Sequence, residues 1–588
     1  MTQLPRPEYP RPQFVRNAWQ NLNGPWTYTF DFGKSGRQRG FAESKGFGAA
    51  HPGGTINVPF CPESKLSGVA HTDFIEMMWY HRAITVPAEW AGKRVILHFG
   101  GVDYECEVYV DGVSVGKHWG GTVAFSFDIT AVVTPGETHN FVVYVRDEVR
   151  SGVQPGGKQC PDLKSRRCHY TRTTGIWQTV WMEAVAPTGL KDVQTVPDLD
   201  GARFVVTPRF YAVKAGTTFR ATLKDGDAVV SQAECAAVDG VPVVLPVPGP
   251  KLWSPADPFL YGLIFEVVQT GFGEDGGVVD TVAAYAGMRK VHVEGNRVFL
   301  NNEPFYLRLV LDQGFYPDGI WTAPTDAALK HDVELSMAAG FNGARLHQKV
   351  FEPRFHYWAD RLGYVTWGES SSWGIDVTGI ESARNFLAEW REIVTRDRNH
   401  PSIIAWTPFN ETRGGAGHPQ HKRLHADAYD LTHDLDPTRP VNDASGYAHV
   451  KTDLWTTHSY NQVPESLKAQ LVIDSVTGVW RNFPEVEVAY TGQPYIVDEF
   501  GGIKWIPRED LVFADNSWGY GDDPKTLEEF YTRLEGLVDA VLSHGHICGY
   551  CYTQLTDIEQ EQNGIYNYDR SEKFDMARVA AILRKEPG

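Results

Sequence analysis

Cysteine is scarce in this chain, with seven among 588 residues (Cys61, Cys106, Cys160, Cys168, Cys235, Cys548 and Cys551). An odd number at irregular spacing excludes a disulfide framework as the main source of stability and fits reduced thiols. The one close pair, Cys548 and Cys551, lies in the apolar run ICGYCYTQL with no second matched pair, so buried structural thiols are expected there rather than a zinc or redox site. No apolar run approaches the roughly 20 residues needed to cross a bilayer, and a membrane protein is not expected. Basic residues are in deficit, 55 Lys and Arg against 73 Asp and Glu, for a formal charge of −18. With no basic stripe, such a surface repels phosphates, and nucleic acid is not an expected partner. The opening MTQLPRPEYPRPQF has no charged region followed by an apolar stretch, so nothing marks it for secretion and a cytoplasmic location is expected. Internal repeats and low-complexity tracts are lacking as well.

A chain of this length exceeds what one hydrophobic core can organise, and several compact units are expected. Over 1–185 the text consists of short alternating strands broken by Gly, Pro and Asp, such as RVILHFGGV, ECEVYVDGVSVG and NFVVYVRD, which is a β-sandwich pattern. Within it, Asp111-Gly112 between two alternating arms predicts a tight hairpin. A second all-β stretch, 186–290, has the size of an immunoglobulin-like sandwich. From 291 to 588 short apolar strands alternate with helices. The strand candidates FYLRLVL, NGARLH, YVTWGE, SIIAWTPFN, PVNDAS, DLWTTHSY, PYIVDEF and HICGYCYTQL number eight, which predicts a C-terminal (βα)8 TIM barrel and a multi-domain β plus α/β protein.

Active sites of such barrels lie at the C-terminal ends of the strands. The polar residues there are Asp312, Arg345, His347, Glu369, Asn410, Glu411, Asp443, His458, Tyr460, Asp498, Glu499, Gln554 and Asp557. Glu411 and Glu499 stand apart from the rest, because each ends an apolar strand and precedes a glycine-rich loop, where strand packing has no use for an acid. Two carboxyl groups facing each other across a barrel mouth can cleave a glycosidic bond, one as proton donor and one as nucleophile, when about 5 to 5.5 Å separates them. A loop-start surface role is the bland reading of any one such acid.

RDRNHPSIIAWTPFNE resembles the acid/base signature of glycoside hydrolase family 2, the group of β-galactosidases, β-glucuronidases and β-mannosidases. WQNLNGPWTYTFD and YTRTTGIWQTVWME resemble the first strand and the exit of that family's jelly-roll sugar-binding domain. LWSPADPFLY resembles the end of its immunoglobulin-like domain, and GFNGARLHQKVFEPRFHYWADRLGYVTWGE the second and third units of its barrel. The resemblance implies a retaining exo-β-glycosidase with Glu411 as acid/base and Glu499 as nucleophile. It further implies that Asn410 bonds the sugar's 2-hydroxyl and that Tyr460 bonds the nucleophile. Arg345, His347, Lys349, Asp312, His458, Glu369 and Gln554 are candidate substrate contacts, and Trp373, Trp455 and Trp505 candidate pocket walls. No cofactor and no catalytic metal are expected, since GESSSWG stands where large β-galactosidases of the family carry a Glu-Thr-His metal segment.

Sugar specificity is open at this level. Galactose is the first expectation; glucuronic acid, galactofuranose and arabinose-type sugars are alternatives. The Asn-x-Lys segment of the family's glucuronidases is replaced by Glu561-Gln562-Asn563-Gly564, without its lysine, whereas Arg345, His347 and Lys349 form a cationic trio suited to an acidic sugar. The loop 153–174, rich in Gly and cations, is expected at the barrel mouth, where Arg167 or His169 would meet substrate. A non-catalytic carbohydrate-binding protein is the competing class. The expected partner is a carbohydrate substrate, and a homo-oligomer is left open.

Overall fold

The computed structural model describes residues 4–43, 53–269, 277–507 and 516–588; the first three residues of the opening segment lie outside them. The N-terminal unit is a jelly-roll β-sandwich of two antiparallel sheets. One sheet orders Trp19–Asn21, Val180–Val185, Arg94–Phe99 and Phe125–Asp128; the other orders Thr55–Val58, Gly24–Phe30, Met77–Thr85, Thr138–Arg146, Glu105–Val110 and Val113–Trp119. Alternating residues such as Val95, Leu97, Val108, Val143 and Met182 interdigitate between them as one core. The predicted hairpin forms: Val110 pairs with Val113, and Asp111 and Gly112 take φ of 46° and 82°, the doubly positive turn that matches strand twist.

The second unit is an immunoglobulin-like sandwich. Its three-stranded sheet contains Leu190–Asp198, Arg203–Phe210 and Val243–Pro246, and its four-stranded sheet contains Ala228–Ala236, Thr217–Asp225, Tyr261–Gln269 and Gly277–Ala286. Arg16 ties the two sandwiches together. Its buried guanidinium bonds Glu183 of the jelly roll at 3.0 Å, Asp280 of the immunoglobulin-like unit at 2.9 and 2.8 Å, and the Leu190 carbonyl.

The third unit is the barrel. Its strands are β1 (Leu307–Asp312), β2 (Gly343–Leu346), β3 (Val365–Glu369), β4 (Ile403–Thr407), β5 (Ala444–Ser445), β6 (Trp455–Ser459), β7 (Tyr495–Gly501) and β8 (Ile547–Thr553). Seven run as one parallel sheet in the order β4-β3-β2-β1-β8-β7-β6, and β5 pairs with Phe409–Asn410, which continues β4. All eight strands correspond to the segments read from the sequence. Helices Asp326–Ala339 (α1), Pro353–Leu362 (α2), Ile380–Asp397 (α3), Pro419–Leu435 (α4), Pro464–Gln470 (α5), Leu527–Leu542 (α6) and Met576–Leu583 (α7) surround them. Capping follows local chemistry, for example Thr325 accepting from the Ala328 N–H at the start of α1. A small sheet, Val291–Glu294 with Arg297–Leu300, adds Val291, Val298 and Leu300 to the core beneath β1 and β7 and closes the N-terminal end of the barrel. Cys548 and Cys551 are buried in that same core, as expected of structural thiols, and all seven cysteines are free. No described helix is long and apolar enough to cross a membrane.

Removing Arg16 would leave Asp280 a buried acid without its counter-charge and Glu183 with only the His98 ring, 2.9 Å away. Arg16→Met is expected to destabilise the sandwich pair by about 3 to 5 kcal/mol, read as a lower urea midpoint of the earliest unfolding transition; an unchanged midpoint would show that the network contributes nothing net.

Candidate active site

The parallel register places the ends of β2, β3, β4 and β7 around one buried guanidinium. Arg345, on β2, is fully buried. It donates to Glu369 Oε2 on β3 at 2.6 Å, to Asn410 Oδ1 at 2.6 Å, and to Glu499 Oε1 on β7 at 3.0 Å. His347 Nδ1 lies 3.0 Å from Glu369 Oε1. Burial, together with the charges of Lys158 and Arg345, pushes His347 well below its ordinary pKa, so the ring is neutral.

Glu499 receives a second set of contacts from β6. Tyr460 donates its hydroxyl to Glu499 Oε2 at 2.5 Å and is backed by Tyr520, whose ring lies parallel with centroids 3.4 Å apart. Burial alone would raise the Glu499 pKa, but the charges of His458 and Arg345 outweigh it and hold the carboxyl down at about 2. Glu499 is therefore an anion over the whole physiological range.

Glu411 stands across the mouth. His458 Nδ1 is 2.7 Å from Glu411 Oε1 and 3.4 Å from Glu499 Oε2, while Nε2 lies 3.3 Å from Asp498 Oδ1. Burial opposes a charged imidazole, yet Glu499, Asp498 and Glu411 together raise its pKa to about 10. This cation lets the two glutamates approach: one oxygen of Glu411, one of Glu499 and a nitrogen of His458 all lie within 4.8 Å of one another. Among the described residues this is the one trio of such donors so close together; a protonated imidazole has no lone pair to give a metal. Glu411 takes a φ of 51°, in the left-handed region that costs a non-glycine residue about 1 to 2 kcal/mol. Its N–H is anchored on the Ser445 carbonyl at 3.0 Å. Gln348, Tyr447 and Glu559, on neighbouring loops, also have positive φ, and such strain collects at functional sites.

The sequence candidates divide into two groups. Arg345, His347, Glu369, Asn410, Glu411, His458, Tyr460 and Glu499 come together as one cluster. Lys349 and Asp312, expected as substrate contacts, do not join it. Lys349 Nζ donates to the carbonyls of Gly314 and Trp321 and is enclosed by the rings of Trp177, Tyr316 and Phe351; burial lowers its pKa to about 7. Asp312 accepts from the Gly314 N–H. Both brace the loop after β1, so the supposed cationic trio is not one. Gln554 lies on the wall, but its amide is occupied, accepting from Gln313 and donating to Asn563. Trp455 is a core residue, 0% exposed. Trp373 lines the mouth and donates its indole N–H to the Asn410 carbonyl.

Other wall residues are not among the substrate contacts expected from the sequence. Tyr447 directs its hydroxyl at Glu411, and Tyr170 bonds Glu561, which Asn563 also holds. Glu561 and Asn563 belong to the segment that replaces Asn-x-Lys, and Lys158 and Tyr170 to the cation-rich loop 153–174, so a signal existed for those four. Tyr447 and Tyr520 sit in connections with no pattern to mark them. The loop itself is clamped into the mouth: Gly156 and Gly157 donate to the Ser371 and Trp373 carbonyls, and Gln560 donates to the carbonyls of Arg167 and His169. The Arg167 side chain is exposed, whereas the His169 ring stands 5.4 Å from Trp373, its pKa lowered to about 4 by burial and by Lys158.

His458 gives the fold a pH signature. A histidine whose pKa is higher folded than unfolded stabilises fully below its unfolded value, 6.5, and that contribution is lost as pH climbs through about 10. Stability toward urea is expected to decline from pH 6.5 to 10, with the slope flattened in His458→Gln; equal slopes in both proteins would refute a cationic His458.

Three family profiles match the chain: "Glycosyl hydrolases family 2, sugar binding domain" over residues 67–156, "Glycosyl hydrolases family 2" over 188–289, and "Glycosyl hydrolases family 2, TIM barrel domain" over 291–503. A β-glucuronidase of Paenibacillus borealis is 24% identical, the alignment covering 99% of this chain and 98% of that protein. A β-galactosidase of Thermoanaerobacter pseudethanolicus is 25% identical over 68% of this chain and 52% of its own length. Among solved structures, the β-glucuronidase of Ruminococcus gnavus in complex with uronic isofagomine superposes with a TM-score of 0.79 at 19% identity, covering 99% of this chain and 100% of that one. The three profiles, in the order sugar-binding sandwich, immunoglobulin-like sandwich and barrel, show that the chain belongs to glycoside hydrolase family 2 and is a glycoside hydrolase.

Proposed function

We propose that this hydrolase removes terminal, non-reducing β-linked sugars by double displacement, with Glu499 as nucleophile and Glu411 as acid/base. The observation that carries this reading is the approach of the two carboxyl groups to within 4.8 Å. Oxygens that close suit the about 5 to 5.5 Å spacing of a retaining pair better than the about 6.5 to 9.5 Å of an inverting one.

Each residue has a definable task. Glu499, held ionised by Arg345, His458 and Tyr460, attacks the anomeric carbon while Glu411 delivers a proton to the departing oxygen. The bond from sugar to aglycone oxygen breaks as the bond to Glu499 forms. Glu411, now an anion, takes a proton from water; the resulting hydroxide displaces Glu499, and the configuration at the anomeric carbon returns to β. Asn410 supports sugar positioning, because Arg345 occupies its Oδ1 while its buried Nδ2 has no partner among the described residues. That amide is a ready donor for the 2-hydroxyl. The loop 153–174, packed over the mouth against Trp373 and Gln560, favours one terminal sugar over an internal segment of a polymer.

Galactose, the first expectation from sequence, has less support than glucuronic acid. The relative aligned over nearly the whole chain and the solved structure of the same architecture are both called β-glucuronidases. A galactoside reading keeps one supporting observation, the missing lysine of the Glu561-Gln562-Asn563-Gly564 segment, together with a β-galactosidase among the relatives.

A panel of aryl β-glycosides, with the anomer followed by NMR, tests this proposal. The first-formed product should be the β-anomer. Glu499→Ala should lose at least about 10⁴-fold in kcat, and azide should rescue it as the α-glycosyl azide; rescue of Glu411→Ala should give the β-azide. An α-anomer as first product would exclude double displacement, and no turnover of any β-glycoside would favour a binding protein.

A further inference from the structure

One lysine at the mouth has hydrogen-bonding capacity that the protein does not use. Lys158 comes from the jelly-roll loop, not from the barrel, and is only 6% exposed. Among the described residues its ammonium makes no hydrogen bond and no ion pair. It lies against Trp373, whose ring centroid is 4.1 Å from Nζ. Holding a largely buried lysine side chain with three unspent N–H groups is costly.

The backbone fixes where this amine points. Gly156 N–H donates to the Trp373 carbonyl at 2.7 Å, Gly157 N–H to Ser371 and Trp373 at 3.1 Å, and the Lys158 carbonyl accepts from Tyr170 at 2.8 Å. Gly157 has a φ of 58°, and a Cβ there would fall 2.3 Å from the Gln348 carbonyl oxygen, so only glycine allows the loop this close to the barrel. The groups around the amine are those of the site. Burial opposes its charge, but Cys168, Glu561, Glu499 and Glu411 raise its pKa, while Lys158 in turn depresses His347 and His169. The other cations of the mouth are committed, Arg345 to Glu369, Asn410 and Glu499, and His458 to Glu411, Glu499 and Asp498. Glu561, the remaining acid nearby, is held in place by Tyr170 and Asn563 and stays beyond ion-pair distance of Lys158.

We propose that Lys158 binds the carboxylate of a terminal β-linked uronic acid, so that the jelly-roll domain supplies the cation that the Glu561-Gln562-Asn563-Gly564 segment of the barrel lacks. The assignment rests on the hydrolase mechanism above and names its substrate class. A uronate completes the ammonium with charge-assisted hydrogen bonds. The matching neutral sugar leaves it unpaired, and an unpaired buried group is where a sugar site discriminates most strongly.

The test compares wild type, Lys158→Met and Lys158→Arg on 4-nitrophenyl β-glucuronide and β-galacturonide and on the matching β-glucoside and β-galactoside. Calorimetry of free glucuronate and galacturonate runs alongside. Wild type should prefer one uronide over its neutral counterpart by at least about 100-fold in kcat/KM. Lys158→Met should cut that ratio by at least about 30-fold, chiefly through KM, and Lys158→Arg should restore part of it. Lys158→Gln reads the same ratio should the methionine variant not fold. A wild-type preference for neutral glycosides, or an equal loss on both substrate classes in Lys158→Met, overturns the proposal, the latter because Lys158 would then only balance the charge of the glutamates. Glu499-dependent hydrolysis confined to neutral glycosides removes this assignment and leaves the mechanism. Uronate binding that disappears in Lys158→Met, in a protein that hydrolyses nothing, keeps the assignment and removes the mechanism.

Discussion

The buried guanidinium of Arg345 is the interaction on which the site depends. It links four strand ends, its own on β2, Glu369 on β3, Asn410 beyond β4 and Glu499 on β7. Bonds of that kind fix relative strand positions as well as charge. A planar fork of five donors can satisfy three partners at once in a way a lysine cannot. The arrangement is also a constraint, since two carboxylates in one dry cavity are tolerable only while their cations remain.

His458 completes that electrostatic frame from the other side. Arg345 neutralises Glu499 from below, and His458 occupies the space between Glu499 and Glu411, touching both. In a low-dielectric cavity each charge is strong enough to decide its neighbours' protonation. The result is a strongly acidic Glu499, a basic His458 and a neutral His347 within one small volume. Such divergence among adjacent groups is a physical mark of a working site.

The jelly roll contributes to the mouth instead of serving as a detached appendage. Its loop 153–174 lies between the connections after β3 and β8, with Gly156 and Gly157 against Trp373 and Tyr170 against Glu561. The mouth is thereby built by two domains, the barrel contributing the facing carboxyl groups and the sandwich an outer wall with its own cation.

The sequence by itself determined the three-part architecture, the eight barrel strands, the Asp111-Gly112 hairpin and the two strand-end glutamates. Each of these is written in local periodicity, turn chemistry or an acid placed where packing does not want one. Tertiary structure alone decided which cations stand at the barrel mouth. Lys349, three residues after β2, looked available but folds beneath the loop after β1 onto carbonyls, whereas Lys158, distant in sequence and in another domain, arrives over the Trp373 ring with no hydrogen bond to its ammonium among the described residues. Local pattern reports which face of a strand a residue occupies; it carries no record of which loop of a separate domain will be pressed against that strand's end, because that depends on the packing of whole units.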